Sequence, residues 1–251
     1  MFVDLNSDLG ESFGAYKIGN DDGIIPLVSS ANIACGWHAG DPVVMAHAVS
    51  VAKQHGAAVG AHPGYPDLMG FGRRSIAISP EEAKAYIQYQ VGALSAFCKA
   101  AGVPLHHVKP HGMLYNNAAA DIKLARAVVD AIAEIDDKLI LVALSGSEMI
   151  AAAKEKGLKY ASEVFADRNY EENGALRSRS KPDSSIEDEN ECIARVLRMI
   201  KEGKVTAVTG KDIDIKADTI CVHGDNPKAL NFVLRIREAL TAEGIEIAPV
   251  K

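Results

Sequence analysis

The sequence predicts an α/β fold closed, or nearly closed, into a barrel, and three observations predict it. Apolar segments of strand length alternate with longer helical patterns along all 251 residues, the rhythm of parallel βα units. Several of the strand segments carry one apolar face and one face that turns polar toward its C-terminal end. Finally, no composition shift marks a linker, and the turn after the first strand, NSDLGESFG, is not the Gly-rich turn of a dinucleotide-binding open sheet. One domain spanning residues 1–251, with seven or eight βα units, is the expectation.

The strand segments fall at residues 3–7, 31–35, 57–61, 105–109, 139–144, 160–164 and 219–222, with a weaker candidate at 207–209. Helical patterns occupy 42–55, 80–101, 121–135, 146–156, 186–201 and 227–243. Ser79-Pro80-Glu81-Glu82 reads as a helix start, with proline in the first turn and acids facing the dipole. Asp41 before Pro42 reads as a helix cap. Gly56, Gly102, Gly157 and Gly244 stand where a helix would end in a left-handed residue.

Composition excludes several function classes. Hydrophobic residues are 48% and charged residues 24%, ordinary for a globular protein. A net charge of −6 argues against nucleic-acid binding by bulk charge. No apolar run approaches membrane-span length, and the start lacks the basic head and apolar core of a signal peptide, so the expected location is cytoplasmic, with no membrane partner. Cys35, Cys98, Cys192 and Cys221 have no metal-type pairing and read as buried thiols. There is no P-loop, no G-x-S-x-G elbow and no H-E-x-x-H. Carboxylate and histidine acid–base chemistry, with or without a metal, is what remains.

Side-chain alternation places that chemistry. In the first strand Asp4, Asn6 and Asp8 share a face opposite Val3 and Leu5. In the fourth, His107, Lys109 and His111 share one; in the last, Cys221, His223 and Asp225 do. Asp8, His38, His62, His111, Glu163 and His223 lie at or just past strand ends, where parallel α/β folds build their sites. A single such histidine is commonly a satisfied core group. The set together points to function, because inward charges are costly unless paired or used. His47 and His55 read as helix residues outside the site. Two long loops, 61–74 and 165–185, add Arg73, Arg74, Arg168, Arg177 and Arg179; Arg177 reads equally well as a surface charge. Asp8, His38 and His62 follow three consecutive strands and form a candidate metal set, with hydrogen-bonding histidines as the alternative.

The runs DLNSDLGESFG, SANIACGWHAGDP, GAHPGYPDLMGFGRR, HVKPHGMLYN, SEVFADRNY and TICVHGDNP resemble the LamB/YcsF family, the A subunits of prokaryotic 5-oxoprolinase, in order and over nearly the whole chain. The resemblance implies a TIM-like (β/α)7 barrel related to the glycoside hydrolase/deacetylase superfamily. It implies hydrolytic opening of 5-oxoproline (pyroglutamate) to L-glutamate, coupled to ATP (with Mg) and performed with separate B and C subunits. Nucleotide handling would lie partly or wholly on those partners. In that reaction Asp8 or Glu163 would be the base, and His62, His111 and Lys109 the oxyanion donors or acid. His223 with Asp225 would form an oriented pair. Asn6, Glu11, Asn32 and His38 would bind substrate, and Arg168, Arg73 or Arg74 would hold its carboxylate or a phosphate. A free-standing metal-dependent deacetylase or amidohydrolase, and a non-catalytic scaffold, are the competing readings.

Overall fold

A computed structural model describes residues 1–222 and 229–251. Its strands are β1 (Phe2–Leu9), β2 (Ser30–Ala34), β3 (Ala58–His62), β4 (Leu105–Val108), β5 (Ile140–Leu144), β6 (Tyr160–Phe165), β7 (Lys204–Thr206), β8 (Asp212–Asp214), β9 (Thr219–Cys221) and β10 (Glu246–Ile247). Its α-helices are α1 (Asp21–Ile24), α2 (Pro42–His55), α3 (Pro80–Ala101), α4 (Gly112–Ala120), α5 (Ile122–Ile135), α6 (Glu148–Lys156), α7 (Glu189–Glu202) and α8 (Ala229–Ala242).

Seven parallel strands close a ring in the order β1-β2-β3-β4-β5-β6-β9, and β9 pairs back onto β1 through Asp4–Thr219, Leu5–Ile220 and Asn6–Cys221. Each ring strand is followed by helix, so the expected seven βα units form a closed barrel. β10 adds to the start of β1. Among the described residues no helix is long and apolar enough to cross a membrane.

Alternation explains the layering. Leu5, Ile33, Val108, Leu141, Val164 and Ile220 are all fully buried in the apolar layer shared with the helices. The opposite face is polar and equally buried: Asp4, Asn6, Asn32, His107, Glu163 and Thr219 are at 0% exposure. Such groups must find partners inside, and they do. Asp4 accepts from Ser29, Ser30 and Thr219 hydroxyls at 2.6, 2.7 and 2.5 Å. Further along the strands, Asn32 Nδ2 donates to Asn6 Oδ1 at 2.8 Å, and His107 Nε2 meets Asn32 Oδ1 at 2.7 Å.

Helix ends follow the local sequence. Asp41 caps α2 on the amides of Val43 and Val44, and Ser79 with Glu82 forms a capping box on α3. Asp121 caps α5 rather than beginning it. α4 has no counterpart among the helical patterns of the sequence. Its N-cap is His111, whose side chain makes no cap bond, so the usual start signal is missing. The candidate strand at 207–209 is instead the turn between β7 and β8, an antiparallel pair with alternating charges in its sequence. Residues 227–228 of the expected last helix lie outside the described residues.

Gly60 on β3 is required by the inner layer. A Cβ there would sit 2.0 Å from His107 Nε2, on a ring fixed by Asn32. Gly60→Ala should therefore destabilise by about 1–3 kcal/mol through overpacking, a fall of about 2–4 °C in melting temperature per kcal/mol. Gly92→Ala, inside α3 with open space around it, should instead stabilise by about 0.5–1 kcal/mol. Thermal melts of the two variants check both signs.

Candidate active site

The C-terminal ends of the strands open into a cavity of about 780 Å³. Lys109, just past β4, lines it and is 2% exposed. Its Nζ lies 2.8 Å from Asp8 Oδ1, 2.7 Å from Glu163 Oε1, and 3.2 Å from both Asn6 Oδ1 and Cys221 Sγ. Burial alone would lower its pKa, but Asp8 leads the neighbours that raise it well above the ordinary lysine value. Burial likewise pushes the Asp8 carboxyl up, and His62 and Lys109 together outweigh it, holding Asp8 well below the usual range. An ammonium has three protons to donate, and the surrounding acceptors consume them. Lys109 is thus a positioning cation, and Asp8 is an ionised carboxylate on the cavity wall.

Glu163 on β6 is fully buried. Its second oxygen accepts from Tyr115 Oη on α4 at 2.6 Å. Sequence reasoning misses Tyr115. Its signal is a position one helical turn after His111, legible only once α4 is known.

The histidines converge beside Asp8. His62 ends β3; its Nδ1 donates to the Lys109 carbonyl at 2.7 Å. His111 Nε2 donates to the Phe71 carbonyl at 2.8 Å. A carbonyl can only accept, so Nδ1 of His62 and Nε2 of His111 carry hydrogens, which leaves the other two ring nitrogens to each other. Those nitrogens, His62 Nε2 and His111 Nδ1, face each other at 2.9 Å. Two acceptors that close repel unless a proton or a cation lies between them. His62 Nε2 is also 3.3 Å from Asp8 Oδ2. His38, on the loop after β2, stacks on His111 at 3.6 Å between centroids, and its Nε2 is 3.4 Å from Glu11 Oε1 without hydrogen-bond alignment. Burial holds His38 and His111 well below the usual imidazole pKa, hence neutral, and lifts Glu11 above the carboxylate norm. Phe71 has φ +54°, the one positive φ outside glycine among the described residues. That conformation is costly, and it presents the carbonyl that orients His111.

The candidate donor group is therefore Glu11, His38, His62 and His111, with ligand atoms all within 4.8 Å of one another. It differs from the expected Asp8, His38 and His62. Asp8 Oδ1 is taken by Lys109 and by Asn32 Nδ2, each at 2.8 Å, while Glu11, beyond the strand, turns toward the imidazoles.

Other expected residues are placed as follows. Asn6 and Asn32 lie beneath the site as supports. Arg73 lines the cavity and covers the Phe71 ring at 4.9 Å. Arg74 turns away to pair with Asp67, its side chain 66% exposed. Arg168 lines the cavity and is 5% exposed. Arg177 is paired with Asp183 and Glu171. His47 is exposed against Asp22. His223 and Asp225 lie outside the described residues.

A sequence model of the LamB/YcsF family matches residues 3–251. The chain belongs to that family. A relative from Clostridium beijerinckii, the A subunit of a 5-oxoprolinase, is 60% identical over 248 residues, 99% of this chain and 97% of that one. The crystal structure of a lactam utilization protein from Thermus thermophilus matches with TM-score 0.94 at 51% identity, over 100% of both chains. A family 4 carbohydrate esterase from Streptomyces lividans matches with TM-score 0.53 at 12% identity, over 100% of this chain and 93% of that one. That last likeness is one of fold, and it agrees with the barrel expected for this LamB/YcsF chain.

The Lys109 network predicts a graded response. Tyr115→Phe leaves one Glu163 oxygen without its donor and should cost about 1–3 kcal/mol. Lys109→Met leaves the buried Glu163 carboxylate without its cation, and Asp8 with only His62 and Asn32, and should cost about 3–5 kcal/mol. Adding Glu163→Gln to Lys109→Met should recover part of that loss. Denaturant midpoints of the three proteins check the order.

Proposed function

We propose that this chain performs the ring-opening step of 5-oxoproline hydrolysis to L-glutamate, as the A component of an assembly with B and C subunits that couple the reaction to ATP (with Mg). The observation that carries the reading is the Asp8 carboxylate, kept ionised by His62 and Lys109 at the wall of a cavity that admits a small amide. The names borne by the relatives point the same way.

In this reading water adds to the lactam carbonyl carbon, a C–O bond forms, and the ring C–N bond breaks. Asp8 Oδ2 takes a proton from the attacking water. The ring nitrogen leaves with the proton that Asp8 releases, so one water is consumed, Asp8 is regenerated and glutamate is the product. Lys109 holds Asp8 in line, and Glu163 with Tyr115 holds Lys109. Acid–base assistance of this kind contributes about 10²–10⁴-fold. ATP supplies the activation that a resonance-stabilised amide needs, and nucleotide binding belongs to the assembly.

The imidazole–carboxylate group also suits a zinc-like divalent cation. Glu11 Oε1 and both ring nitrogens of His38 are buried without hydrogen-bond partners, and a bound cation removes that cost at Glu11 and at one His38 nitrogen. Glu11, His38, His62 and His111 would hold the ion, which when bound supplies Lewis acidity next to Asp8.

Reconstitution tests the function. Glutamate formation should require this chain, B, C and ATP together, and Asp8→Asn should lower kcat by about 10²–10⁴-fold. Full turnover by B and C alone, deacetylation by this chain alone, or full activity of Asp8→Asn would each overturn the reading. Separately, purified protein should take up one Co²⁺ with visible d–d absorbance of low coordination number. Glu11→Gln/His38→Ala should abolish that absorbance while its fold, followed by circular dichroism, persists.

A further inference from the structure

Besides Asp8 and the histidines, the cavity is lined by the turn between β5 and α6 and by Arg168 on the loop after β6, and β5 and β6 are neighbouring strands. Nothing in the ring-opening chemistry above uses this wall. The cavity, at about 780 Å³, is also of the size that holds a drug-sized ligand, far more than a five-membered lactam fills.

Arg168 is the first observation. Its guanidinium is buried and fixed by backbone carbonyls, Nε to Ser184 at 3.2 Å and Nη2 to Arg177 at 2.5 Å. Burial lowers its pKa to about 10, so it stays charged at neutral pH. Among the described residues no carboxylate forms an ion pair with it. Those two carbonyls engage two of its five N–H donors, and the rest are available to a ligand.

The second observation is independent. Ser147 stands at the N-cap of α6 with extended geometry, φ −77° and ψ 167°, yet its side chain caps nothing. Its Oγ is buried and has no partner, although the residue lines the cavity. The first-turn amides of Glu148 and Met149 have no acceptor within the helix. The Glu148 carboxylate also lines the cavity. An unpaired hydroxyl, free amides and the positive helix end are the donors of an oxyanion site.

Donor number decides which oxyanion. The Arg168 fork, the Ser147 hydroxyl and two first-turn amides are more donors than the two oxygens of a carboxylate call for, and a phosphate group brings three strong acceptor oxygens. We infer that Arg168 and the Ser147 end of α6 form a subsite for a phosphoryl group, delivered on the activated substrate or on a nucleotide, so that phosphate and lactam share one cavity. This rests on the ATP-coupled reading for its biological use, but the binding itself does not require that reading.

The test uses the isolated chain and inorganic phosphate, with no turnover. Titration followed by ³¹P linewidth should show saturable binding. Ser147→Ala should weaken it several-fold, and Arg168→Lys, which keeps the charge but loses the fork, by about tenfold or more. Each variant is first shown to melt as the wild type does. Displacement of phosphate by ADP assigns the source to nucleotide, and failure of ADP to displace it assigns the source to the phosphorylated substrate; both retain the subsite. Absence of saturable binding, or equal affinity in all three proteins, overturns it. An outcome in which phosphate binds but the reconstituted enzyme forms no glutamate sinks the proposed function and leaves the subsite standing.

Discussion

A single buried ammonium organises this barrel. Removing Lys109 and its partners from water costs several kcal/mol for each ion, and only close, well-coordinated carboxylates offset that. Asp8 from β1 and Glu163 from β6 provide them, with Asn6 at longer range. The arrangement ties three strands distant in sequence to one atom. It also fixes protonation: Asp8 is stabilised as the anion by a cation that cannot leave. Tyr115 then links α4 to the same centre, so the helix that follows His111 is positioned by the charged group it packs against.

The histidine group obeys a different logic. His38 and His111 are neutral because they are buried, and each of His62 and His111 is oriented by a carbonyl outside the cluster. One of those carbonyls belongs to Phe71, whose left-handed backbone is followed by Gly72. A Cβ on Gly72 would meet His38 Cβ at 2.8 Å and His111 Cδ2 at 2.9 Å. The loop after β3 thus accepts backbone strain and forgoes a side chain in order to press on two imidazoles. Unpartnered polar atoms in so tightly packed a place destabilise the free protein. Their presence argues that folding stability is not what this cluster was shaped for.

What the sequence reveals and what it conceals divide along the same physical line. Alternation is strict inside a strand, so the inward placement of Asn6, Asp8 and His107 is readable without coordinates. Past the strand ends there is no period to follow. Arg73 and Arg74 are neighbours in sequence, yet one lines the cavity and the other closes a turn on Asp67. Glu11 displaces Asp8 from the expected donor group for the same reason: its direction is set by the loop, not by the strand. The short β7–β8 pair is hidden because three residues are too few to show a period. α4 is hidden because the residue that should announce a helix start spends its side chain on the site.

Helix polarity extends that last point to the whole rim. In a parallel barrel each strand runs up to the mouth and its helix starts there, so positive helix ends gather around the site. Most are neutralised locally. Asn20, Asp41, Ser79, Asp121 and Asp188 each turn a side chain onto the first amides of their helices. Among the α-helices whose N-caps are described, α4 and α6 are the two without such a cap, and both open onto the cavity. His111 spends its ring on the imidazole cluster. Ser147 keeps a hydroxyl that could cap its helix and does not. A capped end presents little to an incoming ligand, whereas an uncapped one presents amides and a dipole. The distribution of caps around the mouth therefore marks the arc where charge is left for ligands, and it coincides with the arc holding Asp8, the histidines and Arg168.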